Sequence, residues 1–279
     1  MSPDAAYSTV KMPTDRTCVR LRDFLHNTFD SVGGFVVLLR ACIDDAGSHE
    51  HSQVVTLGGY IAWSYRWRDL EYKWRRVLSS YHVKCSHMKY FAHRKKEFEN
   101  WPEPKRQSFM KQLAGCLVGN VRYGFVASVY RSDYDEAVSE RIKGRLRSPI
   151  ALCAYICLSQ IEMYLRDLEY NKKAVITFAL GTPHMDDISA AYYESYPTEI
   201  SQEKREYRPG SGNLIPLQAA DLLAYEGCKR LNDHLVGKED VRWPLKTIVN
   251  EVPHLLVHFN REMLYTLNRQ LEEKTAYEG

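Results

Sequence analysis

Phe35-Val36-Val37-Leu38-Leu39-Arg40-Ala41-Cys42-Ile43-Asp44-Asp45-Ala46-Gly47 decides how the rest of the chain is read. The run from Phe35 to Ile43 is apolar and rich in β-branched residues, follows the breaker Gly33-Gly34, and is shorter than an ordinary helix. It reads as a buried strand that ends in two acids and a turn. Polar residues Ser48 to Ser52 follow, and then a second strand from Val54 to Ala62, hairpin-paired with the first.

Outward from that hairpin, helices alternate with strands. Trp67, Leu70, Trp74, Val77 and Leu78 have helical spacing between Tyr65 and Ser79. Val83 to Phe91 reads as a short extended piece. Pro102 and Pro104 open a helix that runs through Leu117, because proline is tolerated in a first turn. Val121 to Tyr130 reads as a strand, Ile150 to Leu168 as a buried helix, Ala174 to Leu180 as a strand, Ile188 to Tyr196 as a helix and Leu217 to Leu231 as another. The tail from Val252 to Leu271 has helical period after Pro253. Strands mixed with helices in this order predict an α/β fold, a mixed sheet flanked by helices with a peripheral helical section. The expected divisions are a leader with a short helix (Val19 to Thr28) over 1–30, one domain over 31–235, and a helical tail over 236–279 packed on it.

Composition narrows the class. The 279 residues carry 38 Lys and Arg against 35 Asp and Glu, a net +3 too small to demand a polyanionic partner. Basic residues are nevertheless clustered: Arg66, Arg68, Lys73, Arg75 and Arg76; Arg94 to Lys96; and Arg141, Lys143, Arg145 and Arg147. The seven cysteines form no CxxC pair and no metal spacing with histidine, and their odd count fits a reduced compartment. With no apolar run near the ~18 residues of a membrane span and no signal-like leader, the expectation is a cytoplasmic protein with no membrane contact.

Two segments carry candidate chemistry. Acids are depleted in strands, so Asp44-Asp45 at a strand end asks for a reason, although Asp-Ala-Gly is also good turn chemistry. In Gln218-Ala219-Ala220-Asp221-Leu222-Leu223-Ala224-Tyr225-Glu226, small residues at helical spacing let a helix lie close to a sheet, with Asp221 at the rim of the stripe. Read alone, Asp221 is equally an ordinary polar-edge residue. His87 has the chemistry of a proton shuttle or phosphate contact, and also of a hydrogen-bonded structural histidine. Trp63, Trp67 and Trp74 lie beside basic residues, but their helical spacing favours packing over base stacking.

Taken in order, Asp44-Asp45-Ala46-Gly47, Leu57-Gly58-Gly59, His87-Met88-Lys89-Tyr90-Phe91, Tyr130-Arg131-Ser132-Asp133-Tyr134 and Pro216 to Glu226 resemble the domain-of-unknown-function 3800 family over residues 35–230. The last block is the most specific. The first departs from the family's Asp-Glu-Ser-Gly, keeping an acid at Asp45 and losing a hydroxyl at Ala46. That family looks RNase H-like and is placed among metal-dependent nucleases. The resemblance implies that Asp44, Asp221 and Asp45 serve as metal and catalytic carboxylates for Mg²⁺ or Mn²⁺, hard cations that prefer oxygen ligands. It implies two-metal phosphodiester hydrolysis of DNA or RNA, with Arg141, Lys143, Arg145, Arg147 and His87 on the nucleic acid.

One departure bears on activity. The resemblance leads us to expect an acid where Thr177-Phe178-Ala179-Leu180-Gly181 has Ala179. Ala179 therefore reads as a lost acid, through a lineage without catalysis, an inactivating change, or transfer of the role to Asp186 or Asp187. The alternative functions are a non-catalytic nucleic-acid-binding or assembly subunit that keeps the fold, or an interaction module whose tail helix docks a partner or a second copy.

Overall fold

A computed structural model describes residues 38–144, 146–170, 174–188, 199–203 and 215–277. The leader, its short helix, Arg145 and most of the helix expected over 188–196 lie outside the described residues. Strands β1 (Leu39–Ala46), β2 (Val54–Trp63), β3 (Tyr123–Tyr130), β4 (Val175–Ala179), β5 (Glu199–Glu203) and β6 (His254–Phe259) form one mixed sheet in the order β5-β4-β1-β2-β3-β6. The β1–β2 and β2–β3 pairs are antiparallel, whereas β4 runs parallel to β1, β5 to β4 and β6 to β3.

Nine α-helices of the described residues accompany the sheet: α1 (Ser64–Ser80), α2 (Met88–Ala92), α3 (Glu103–Leu117), α4 (Arg131–Ala137), α5 (Glu140–Lys143), α6 (Pro149–Asp167), α7 (Ile215–Leu235), α8 (Trp243–Glu251) and α9 (Arg261–Tyr277). The central strands are buried on both faces, which is why β1 and β2 read as continuous apolar runs rather than alternating ones. Leu39, Ala41 and Ile43 point to the face covered by α6, while Cys42 and Tyr60 point to the face covered by α1, α3 and α7. Helix α6 begins cleanly because Ser148 accepts a hydrogen bond from Ala151 N and Pro149 occupies the first turn.

Three expectations change. β1 runs through Asp44 and Asp45 to Ala46, so the acids lie inside the ladder, opposite Gly58 and Leu57, rather than beyond it. The piece over Val83 to Phe91 contains the helical turn α2, started by a side chain remote in sequence. The tail is not wholly helical: His254–Phe259 adds an edge strand beside β3, so residues 236–279 help build the sheet. The helix α9 starts only where Asn260 Oδ1 accepts Met263 N at 2.9 Å, a cap that the helical period read through Pro253 had passed over.

Candidate functional site

The register of β1 decides which acid goes where. Directly opposed residues in an antiparallel pair share a face, and Asp44 is opposed by Gly58. A Cβ on Gly58 would lie 3.0 Å from the backbone of Ala224, so glycine is what allows α7 to lie against the hairpin at this point. Asp44 is therefore on the α7 face. It is wholly buried (0% exposed), and its Oδ1 accepts Asp45 N at 2.8 Å. Alternation sends Asp45 to the α6 face, half-buried, with the Thr182 hydroxyl 3.1 Å from its Oδ1. The neighbouring acids of the motif thus do not converge.

Ala179 does approach Asp44. The parallel register ends at Ile43↔Phe178, and one further step brings Ala179 beside Asp44. Ala179 packs in the same cluster as Cys42 and Leu217, so its methyl shares the α7 face. Asp187 is held by Arg147 at 3.5 Å and His184 at 3.3 Å, and Asp186 is exposed.

Gln218 and Asp221 lie one turn apart on α7 and together grip the segment before α2. Gln218 Oε1 accepts Ser86 N at 3.0 Å, the Ser86 hydroxyl at 2.9 Å and Trp74 Nε1 at 3.2 Å. Asp221, 4% exposed, accepts Met88 N at 2.7 Å through Oδ2, and His87 Nδ1 lies 3.0 Å from the same oxygen. A carboxylate accepts in that contact, so Nδ1 carries the hydrogen. The His87 ring stands edge-on to Tyr90 and is 23% exposed. The specific block from Pro216 to Glu226 is therefore a clamp that closes α2 onto α7 and orients one imidazole.

The remaining expected residues lie apart from this clamp or are already engaged. Lys143 Nζ binds Glu140 at 2.9 Å and the Asp135 carbonyl, Arg147 is on Asp187, and Arg141 is exposed on α5. Trp67 and Trp74 are core residues of α1. Tyr134 is buried and donates to the Leu146 carbonyl, while Tyr130 is edge-on to His258.

Sequence reasoning missed Glu226. It is 1% exposed, and burial pushes its carboxyl up to about 7, with Arg242 at 3.5 Å pulling in the other direction. Its signal was a glutamate next to Gly227, a residue so near β3 that a Cβ there would touch Val126 at 3.0 Å.

The described residues do not fit a two-ion centre. No three His, Cys, Asp or Glu side chains among them come together as a ligand set, Ala179 offers a methyl beside Asp44, and Asp221 spends an oxygen on Met88 N and His87. Among the described residues no helix is long and apolar enough to cross a membrane. No family model matches the chain, and no curated protein matches it.

Proposed function

We propose that this chain is an RNase H-like domain that binds nucleic acid, DNA or RNA, with a phosphodiester-hydrolysing centre left incomplete at Ala179. The sheet supports this reading: a three-stranded antiparallel meander continues through β1 into parallel strands, with one acid on the central strand and another on a late helix over the same face. The observation that carries it is the position of Ala179, one step past the last β1–β4 pair and on the face of Asp44. A carboxylate there would stand where an acid is missing. Asp44 would be its partner, and Asp221 would contribute through the oxygen not taken by Met88 and His87.

The test uses labelled single- and double-stranded DNA and RNA with Mg²⁺ or Mn²⁺. Wild type should bind without cutting. Ala179→Asp or Ala179→Glu should cut, and adding Asp44→Ala should abolish the gained activity. Binding without cleavage in every variant would reject Ala179 as the lost acid.

A further inference from the structure

The charge of this protein is not spread evenly. Residues 64–96 hold ten Lys and Arg against two Asp and Glu, a net +8, whereas the whole chain is +3. The rest of the chain is therefore net acidic by five. This segment comprises α1, the Ser86–Met88 turn and α2, the elements that α7 clamps, and the basic residues Arg94 to Lys96 just beyond.

Helix α1 has two unlike faces. Trp67, Leu70, Trp74, Val77 and Leu78 are buried against the core. The outer face presents Arg68, Tyr72 and Arg76 at successive i, i+4 positions, a line of ~12 Å at 1.5 Å per residue. Lys73 lies beside it. Tyr72 is 65% exposed, and the Arg76 guanidinium sits 5.8 Å from its ring. Arg66 and Arg75 have acidic neighbours at 3.8 and 3.3 Å. Among the described residues, Arg68, Lys73 and Arg76 have no carboxylate at ion-pair distance. Exposed Lys84 and Lys89 continue the positive surface to His87 and Met88, which touch Asp221.

We propose that this outer face of α1 is the binding track for single-stranded nucleic acid, with Arg68, Lys73 and Arg76 on phosphates and Tyr72 stacked on an unpaired base. An exposed aromatic among cations suits single strands, because every base offers a face to stack while a duplex keeps its bases covered. The proposal rests on the nucleic-acid reading above and names its surface. It moves the contact away from Arg141, Lys143 and Arg147, two of which are already paired with acids.

Binding of a fluorescent 20-nucleotide poly(dT) and a poly(U) of the same length, followed by anisotropy across a salt series, tests it. Each lost phosphate contact on a single strand removes ~0.7 from the slope of log K against log salt. The triple variant Arg68→Ala, Lys73→Ala, Arg76→Ala should therefore lower the slope by about 2. Tyr72→Ala should weaken binding by roughly five- to a hundredfold at an unchanged slope, and Tyr72→Phe should restore it. All four side chains are exposed, so the fold should tolerate their removal. The proposal is overturned if the triple variant keeps the wild-type slope, if the slope falls instead in Arg141→Ala, Lys143→Ala, Arg147→Ala, or if wild type binds phosphatidylserine vesicles and neither oligonucleotide. Because the slope reports phosphate contact and is indifferent to bond cleavage, this result and the Ala179 assay can fail separately.

Discussion

Asp221 and Glu226 are both buried on α7, little more than a turn apart, yet their surroundings differ in kind. Asp221 meets donors built for it: a backbone N–H at 2.7 Å and an imidazole at 3.0 Å. Glu226 meets one guanidinium at 3.5 Å, with Asp233 and Lys229 acting on it in opposite directions, and neither carboxylate oxygen is in a hydrogen bond in the described structure. The first is a clamp and the second a buried charge held against its solvation. Burial alone therefore says little about what an acid does; the donors it meets decide whether it organises a structure or strains it.

The largest expected effect comes from the strained member. Glu226 titrates at about 7 in the folded protein and near 4.5 when exposed. Between those values the folded state binds more protons than the unfolded, so stability falls as pH rises from 4.5 to 7 and is level above. At about 1.4 kcal/mol per unit the loss is on the order of 3 kcal/mol. His254 and His258, held near 4 by burial, act in the opposite sense, adding stability as pH rises from 4 to 6.5. The quantity to measure is thus the difference between wild type and Glu226→Gln in urea melts at pH 5 and pH 8. Glutamine should be the more stable at pH 8, with the gap closing at pH 5. A gap that is constant with pH would mean that burial does not shift the Glu226 carboxyl.

Breaking the clamp should cost less. Asp221→Ala leaves Met88 N without its acceptor and His87 without its anchor, a loss of about 1–3 kcal/mol for a buried donor. The damage should stay local: amide exchange should rise across Ser86 to Phe91 while β1 and β2 keep their protection. Uniform loss of protection would show that Asp221 supports the whole α7 face and not one turn.

Why Glu226 is hard to read from the sequence follows from what a sequence encodes locally. The β1–β2 hairpin, α1, α3, α6 and α7 announce themselves by period and by breakers, and the structure has them. Leu57-Gly58-Gly59 was visible as a motif, but the meaning of Gly58 needed α7 in place, since only Ala224 makes a side chain there costly. β5, with the polar sequence Glu199-Ile200-Ser201-Gln202-Glu203, carries no apolar pattern to read. β6 was hidden by proximity to a real helix whose spacing overran it. Asp45 is adjacent to Asp44 in the sequence, whereas a strand separates neighbours onto opposite faces. The clamp on α2 joins residues more than 130 positions apart, and no local spacing reports such a pair.

The smallest effect sharpens the same contrast from outside. Arg242 precedes α8 and reaches Glu226 from a partly exposed position, so water screens part of its attraction. Below pH 4.5 Glu226 is neutral in both states, and Arg242→Ala should leave that part of the stability unchanged. Above pH 7 the carboxylate loses its nearest cation, and the variant should be less stable by about 0.5–1 kcal/mol. The midpoint of the Glu226 transition should also move upward, because the charged form has lost what favoured it. In the Glu226→Gln background the same arginine substitution should cost nothing that varies with pH. A pH-dependent penalty that survived there would assign the arginine to a different acid.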